Sequence, residues 1–467
     1  MKKSAIQKRY IYRWICTIVL CALSTIMFFC VWYSFAKKHN YVGVLLGKSN
    51  LLMSTGIFLI LFYIIGKALK AFQIGVERKM NLLASQVLTV FTVNFIEIFI
   101  SCAIIGQFRL VFQLLYRYLG LAIVQSIALC LLTILFADLY IRLFKPRQLL
   151  EIYADGNDQK LEFMNSRPDK YHIAAKVNIN EGMNTILPML AHYEAILVND
   201  IPSESKNEIL KECFRINKRV YYTPKISDII GKRSEDINLF DTPLYLCRNS
   251  GMSAPNRFLK RICDLVISFI GLIVLSPIMI FTAIAIKLED GGPIFFRQDR
   301  VTLGGKVFSI LKFRSMIVDA EKDGRPHPAG ENDDRITKVG KFIRATRIDE
   351  LPQIINILKG DMSLVGPRPE RVEHVEKYRK EIPEFEFRLK VKGGLTGVAQ
   401  VFGKYNTSPL NKLKMDLFYI TNYSLLLDLQ IIFETLKIIF QKESTEGFSE
   451  KKQMEMMNSN DSANKAD

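Results

Sequence analysis

Long apolar runs at residues 11–36, 51–72, 82–105 and 114–143 alternate with short polar connections. Each run is longer than the roughly 20 residues a helix needs to cross the hydrocarbon of a bilayer, so residues 1–147 are expected to form four transmembrane helices. The first run follows Lys2, Lys3, Lys8 and Arg9 and has no small-residue cleavage site behind it, which makes it a membrane span and not a signal peptide. An even number of spans returns the chain to its starting side. The basic residues before the first run, at Arg78 and Lys79, and at Lys145 and Arg147 put that side in the cytoplasm, although Lys37, Lys38 and Lys48 pull the other way.

Past residue 147 the pattern shortens. Runs at 149–153, 173–177, 195–198 and 220–222 read as strands, and residues 205–217 carry the apolar spacing of an amphipathic helix. A small Rossmann-like α/β domain is expected at 148–248. The turn after its first strand contains Ala154, Asp155 and the single Gly156, where a dinucleotide fingerprint needs three glycines, so a scaffolding or regulatory role fits it better.

A fifth apolar run, 265–286, could also span. Ser276 and Pro277 stand at its midpoint, where a proline removes a backbone hydrogen bond, and Lys260, Arg261 and Lys287 flank it. Two forms are therefore open: a plain span, or a re-entrant helix at 256–287 that breaks at Ser276 and Pro277 and returns to the leaflet it entered. The mixed pattern over 411–440 suits helices at the membrane interface or in a core, and the polar composition of 443–467 predicts a disordered tail.

Composition narrows the class. Across 467 residues, 49% are apolar and the mean hydropathy is +0.14, high for a chain wholly in water. The net charge of +17 suits a partner bearing phosphates, whether nucleic acid, anionic lipid or nucleotide. The eight cysteines form no C-x-x-C pair, and five of them sit in apolar runs, so neither a zinc site nor disulfides are expected.

The candidate chemistry centres on Asp349 and Glu350, which stand between Arg344, Arg347 and Pro352. An acid pair before a proline and an apolar run also reads as a helix start with Asp349 near the N-cap. Its surroundings favour catalysis. Arg297, Lys312, Arg314 and the sequence Gly366, Pro367, Arg368, Pro369 place arginines among prolines and glycines, and the guanidinium fork fits phosphate at two points. Lys338, Lys341, Arg344 and Arg347 recur every three residues, as on one face of a helix. A carboxylate kept ionised by such cations can attack a diphosphate, while its neighbour holds a divalent metal, for which magnesium is the expected ion.

These residues resemble a known family. Over about 256–442, Lys260, Arg261 and Asp264, then Ser276 and Pro277, Gly292 and Pro293, Arg297 and Gln298, Lys312 to Met316, Asp349, Glu350 and Pro352, Gly360 to Ser363, and Gly366 to Pro369 are similar to the motifs of the monotopic phosphoglycosyl transferases, bacterial sugar transferases that load a sugar phosphate onto a polyprenyl phosphate. The four-span front resembles their long, initiating subclass. The resemblance implies a re-entrant α/β catalytic domain at 256–442 on the cytoplasmic side of the bacterial inner membrane. It implies that Asp349 attacks the β-phosphate of a UDP-sugar, releases UMP and passes the phosphosugar to undecaprenyl phosphate. Glu350 would bind magnesium, Arg344 and Arg347 would hold phosphates, and Pro367, Arg368 and Pro369 would help to seat the uridine. Val301 with Thr302, and Lys392 to Val398, depart from the family pattern and leave the sugar open. A homodimer is compatible with all of this.

Two readings compete: a membrane scaffold or regulator of polysaccharide assembly without turnover, and a nucleic-acid-binding membrane protein. The intact acid pair speaks against the first. The basic region shows neither stacking aromatics nor a reading helix, so no nucleic-acid partner is expected.

Overall fold

The computed structural model describes residues 2–39, 48–106, 108–155, 164, 167, 170–239, 242–247, 251–318, 333, 335–403 and 407–439. The expected tail at 443–467 lies outside them. Contacts divide the chain into two compact units, Met1–Pro224 and Lys225–Asp467.

The first unit opens with α1 (Lys2–His39), α2 (Lys48–Ala68), α3 (Lys79–Ile105) and α4 (Val111–Leu143). All four are long and apolar enough to cross a membrane, and they lie where the apolar runs place them. Apolar side chains such as Phe95, Phe99 and Leu131 face outward. The buried seam combines stacked Phe28 and Phe58, 4.2 Å apart, with a polar chain in which Asn94 Nδ2 donates to Gln125 Oε1 at 2.7 Å and Gln125 Nε2 donates to the Ser24 carbonyl at 2.9 Å. Bonds of this kind between membrane helices contribute about 0.6 kcal/mol each, so they fix the register of α1, α3 and α4 more than they hold the bundle together.

The α/β part of this unit comprises β1 (Arg147–Tyr153), β2 (Tyr171–Asn178), α5 (Met183–Met189), β3 (Ala195–Asn199), α6 (Ser203–Arg215) and β4 (Arg219–Tyr222). Its sheet is parallel throughout, in the order β2-β1-β3-β4. The two central strands are buried on both faces; β3 is a continuous apolar run up to Asn199, whose Nδ2 donates at 2.9 Å to Oε1 of Glu151, buried within β1. The contacts end this unit at Pro224, so residues 225–246, which the sequence reading joined to the α/β domain, group with the second unit.

The second unit contains α7 (Ile226–Gly231), the hairpin β5 (Glu235–Leu239) and β6 (Thr242–Leu246), and α8 (Ala254–Asp290). It continues with the hairpin β7 (Phe295–Val301) and β8 (Val307–Phe313), α9 (Lys338–Ala345), α10 (Gln353–Lys359), β9 (Ser363–Val365), α11 (Val372–Glu381), β10 (Gly394–Thr396), α12 (Val398–Phe402), α13 (Pro409–Thr421) and α14 (Leu425–Ile439). Short parallel strands β9 and β10 pair beside a core that includes Val365, Phe385, Leu413, Leu417, Tyr419 and Ile431. The segment open between interface and core therefore contributes core residues through α13 and α14, while Leu426 and Leu429 remain exposed.

Ser276 and Pro277 lie inside α8, whose helical assignment continues on both sides of them. Pro277 has no N–H for the carbonyl four residues back, which belongs to Ile273. The Ser276 hydroxyl donates to that carbonyl at 2.8 Å and fills the vacancy. Both flanks of α8 are tied to the same unit. At the N-terminal flank, Lys260 Nζ pairs with Asp428 at 2.7 Å, Arg261 donates to the Ile357 and Leu358 carbonyls at 2.6 and 2.9 Å, and Asp264 accepts from Ser363 Oγ at 2.7 Å and the Leu364 N–H at 3.1 Å. At the other end Asp290 pairs with Arg314, and Glu289 accepts from the N–H of Val339 at the start of α9.

Asp264 thus joins α8 to β9. Replacing it with Ala leaves the Leu364 N–H and the Ser363 hydroxyl without that acceptor, at a cost of about 1–3 kcal/mol. The Asp264→Ala protein should melt several degrees below wild type in detergent; an unchanged midpoint would show that this joint carries no stability.

Candidate functional site

The acid pair lies in a 3₁₀ turn, Ile348–Glu350, between α9 and α10. The expected N-cap role for Asp349 does not hold, because α10 begins at Gln353 with Pro352 as its cap residue. Arg347 stands just outside α9, so it does not continue the face formed by Lys338, Lys341 and Arg344. It takes φ 59° and ψ 16°, the left-handed region, which costs a residue with a side chain roughly 1–2 kcal/mol and serves here to reverse the chain before the acids.

Two cations from elsewhere meet Glu350. Lys312 of β8 donates from Nζ to Glu350 Oε1 at 3.1 Å, and Arg368, two residues past Gly366, donates to the same oxygen at 2.7 Å. Gly366 is required there, since a Cβ would stand 2.4 Å from the Lys392 carbonyl oxygen. Burial opposes charge on Glu350, but Arg368 and Lys312 outweigh it and hold the carboxyl well below the usual range. Asp349 moves the opposite way. Burial pushes it up, against the pull of Lys312, Arg347 and Arg344, while the charge on Glu350 adds to the rise. Two adjacent carboxyls with pKa values driven apart are a mark of divided roles in catalysis. Asp349 Oδ1 is buried and has no hydrogen-bond partner among the described residues.

The other predicted residues divide into two groups. Lys312, Arg344, Arg347 and Arg368 all act on the acid pair, and Pro367 and Pro369 line a small pocket with Thr302, Arg368, Arg388 and Gly393. Arg314 is instead buried against Asp290 at the end of α8. Arg297 is exposed on β7 opposite Leu311. Ser276 and Pro277 serve the helix as described. The Thr302 hydroxyl, one of the departures from the family pattern, accepts from the Gly393 N–H at 3.0 Å and donates to the Asp361 carbonyl at 3.2 Å, so it braces the pocket floor.

Sequence reasoning did not single out Glu370, Arg388 or Asp416, and it grouped Arg300 with the anion-holding arginines of 292–300 without giving it a role of its own. Strand alternation could have flagged Arg300, because it lies on the opposite face of β7 from Arg297. Arg388 and Asp416 are far apart in sequence; Asp416 lies in the mixed pattern over 411–440, and Arg388 lies in a stretch given no element.

The donor set fits a hard divalent cation. One carboxyl is kept ionised, its neighbour has a buried oxygen without a partner, and magnesium takes one or two carboxylates before substrate phosphates complete its shell. Among the described residues, no group of three or more His, Cys, Asp or Glu could hold a metal alone, so phosphate oxygens would have to supply the remaining ligands.

The family model described as bacterial sugar transferase matches residues 255–442. A UDP-glucose:undecaprenyl-phosphate glucose-1-phosphate transferase of Caulobacter vibrioides is 39% identical over 221 residues, 45% of this chain and 82% of that protein. The chain belongs to the bacterial sugar transferase family. Similarity also extends to a protein of the same name from Klebsiella pneumoniae, 44% identical over 230 residues, 46% of this chain and 48% of that one. A UDP-N-acetylgalactosamine-undecaprenyl-phosphate N-acetylgalactosaminephosphotransferase of Aeromonas hydrophila is 39% identical over 254 residues, 53% of this chain and 59% of that one. The chain thus spans about half the length of these last two relatives. The matched segment of this membrane protein contains α8, the acid pair and every cation that acts on it.

The left-handed turn at Arg347 yields a stability test separate from chemistry. Arg347→Gly relieves the backbone, whereas Arg347→Val adds a β-branched clash, so thermal midpoints should rank Gly above Val by the equivalent of about 1–2 kcal/mol. Equal midpoints would show that the turn is not strained.

Proposed function

We propose that the protein transfers a sugar phosphate from a UDP-sugar to undecaprenyl phosphate through a covalent aspartyl-phosphosugar, releasing UMP, as the first membrane step of capsule, O-antigen or exopolysaccharide synthesis. The observation that carries the proposal is the divided acid pair: Glu350 is locked between Lys312 and Arg368, and Asp349 beside it keeps an unpartnered oxygen. The names of the family's members support the substrates.

In the first step Asp349 Oδ1 forms a bond to the β-phosphorus of the donor. The bond from that phosphorus to the bridging oxygen breaks, and UMP leaves with the electron pair. Arg344 and Arg347 offset the charge of the diphosphate, and the Pro367 to Pro369 loop seats the nucleotide. In the second step a phosphate oxygen of undecaprenyl phosphate attacks the same phosphorus, the Asp349 ester bond breaks, and the carboxylate is restored. Glu350 would hold magnesium, which supplies Lewis-acid neutralisation of the phosphate oxygens when bound. Lys312 lies close enough to both carboxyls to act on each, so it stabilises the negative charge passing from one step to the next.

The ties at the two flanks of α8 support a re-entrant helix, and the basic flanks of the four preceding apolar runs support a catalytic unit on the cytoplasmic side of the inner membrane. A plain span would set its two flanks about 30 Å apart on opposite faces, yet Lys260 and Asp290 both pair within one α/β unit. In a cysteine-free background, Arg257→Cys and Leu288→Cys should react with a membrane-impermeant thiol reagent from the same side of sealed vesicles. Labelling from opposite sides would make α8 a span.

Turnover is tested by UMP release from a panel of UDP-sugars in membranes containing undecaprenyl phosphate. One donor should be consumed, chelation should stop the reaction, and Asp349→Asn should lower the rate by about 10³-fold or more. Near-normal turnover by Asp349→Asn would remove the nucleophile assignment; silence with every donor would favour a scaffold without turnover.

A further inference from the structure

The loop that carries Arg368 is short of backbone donors, because Pro367 and Pro369 have no N–H, and its carbonyl oxygens therefore do much of the anchoring. Four successive carbonyls each find a donor. The Pro367 oxygen accepts from the Gly394 N–H at 2.9 Å and the Glu370 oxygen from the Val301 N–H at 3.0 Å. Between them, the Arg368 oxygen accepts from Arg388 Nη2 at 2.8 Å and the Pro369 oxygen from Arg300 Nη1 at 3.1 Å.

Arg388 is only 3% exposed and Asp416, from α13, only 1%. Arg388 Nη2 lies 2.9 Å from Asp416 Oδ2, Nη1 lies 3.7 Å from Glu370 Oε1, and the guanidinium sits over the buried ring of Phe385 at 4.8 Å. A buried ion pair is a weak source of stability, and apolar residues of similar size often do as well. An apolar side chain could not, however, reach the Arg368 carbonyl with a donor. The rigid planar fork of a guanidinium presents donors to a carbonyl and two carboxylates in fixed directions, a geometry that the compact, rotating ammonium of a lysine does not reproduce.

We propose that Arg388 is a positioning residue for phosphosugar transfer: anchored by Asp416, it fixes the backbone of Arg368 so that the Arg368 guanidinium stays on Glu350. The proposal rests on the transfer reaction given above. It makes Asp416 and Arg388 the outer links of a chain, Asp416 to Arg388 to Arg368 to Glu350, that starts in the core of the unit and ends beside Asp349. Asp416 lies outside the pocket lining, and Arg388, which lines the pocket, is only 3% exposed, so both act through Arg368.

The test is a double-mutant cycle in the full-length protein in membranes, reading kcat/KM for UMP release with thermal midpoints recorded alongside. Arg388→Lys should lower kcat/KM by roughly 10- to 100-fold, the effect of losing a hydrogen bond from a charged group. In an Arg368→Lys background, the same change should alter kcat/KM by no more than about twofold, since the residue it positions is already compromised. Effects that multiply in full would show that Arg388 acts through general structure, and no effect in the wild-type background would overturn the proposal directly. If Arg388→Lys does not fold, Asp416→Asn carries the same cycle, with the same outcomes deciding. A wild-type protein inactive with every donor would remove the reaction and this proposal with it, whereas an active wild type with multiplying effects would remove this proposal alone.

Discussion

The second unit is built around one buried glutamate that must stay charged. Glu350 keeps only 13% of its side chain exposed, and shielding a carboxylate from water is costly unless cations replace the lost solvation. Lys312 and Arg368 replace it on a single oxygen. Those cations come from a hairpin strand and a proline-flanked loop, and the acid itself comes from a 3₁₀ turn, so the charge balance holds only when three separate elements are correctly placed. The hairpin is placed by its own register and by Asn356, whose side chain accepts from the Leu311 N–H and donates to the Ser309 carbonyl. The loop is placed by Arg388 and Arg300, and the turn by the left-handed Arg347. The consequence for chemistry is local: the same cations that fix Glu350 leave Asp349 beside it incompletely balanced, with an oxygen available to react.

The long apolar helix follows the same economy of bonding. Pro277 removes a backbone donor in the middle of α8, and the neighbouring hydroxyl takes the carbonyl left behind, so the helix can carry proline in an apolar stretch without an unsatisfied carbonyl. Charged groups are confined to its flanks, where Lys260, Arg261, Asp264 and Asp290 all bond to the rest of the second unit. The middle exposes Ile273, Val274, Ile280 and Phe281, which suits a hydrocarbon surrounding.

Much of this was legible in the sequence because the signals are periodic or covalent in origin. Long apolar runs located the long helices, short ones located β1 to β4, and the clustering of Asp349, Glu350 and nearby arginines located the site. What escaped were properties set by three-dimensional context. A proline in an apolar run signals a lost hydrogen bond, but the compensation by Ser276 depends on a rotamer. A three-residue spacing suggested one helical face through Arg347, but a left-handed residue ends α9 before it. Arg314 and Arg297 belong to the same arginine-rich stretch as Lys312, and only the strand pairing and the position of Asp290 show that Arg314 is tied to the end of α8 and Arg297 faces solvent. Arg388 and Asp416 carry no local motif at all; they become meaningful once the carbonyls of the Pro367 to Pro369 loop are counted.

The most direct test of the account is the mass of the protein after incubation with its donor and magnesium in the absence of undecaprenyl phosphate. Peptide mapping should find one phosphosugar on the peptide at Asp349, lost when undecaprenyl phosphate is added and never formed in Asp349→Asn. UMP release with an unmodified protein, or a phosphosugar on Glu350 in place of Asp349, would contradict the division of roles between the two acids.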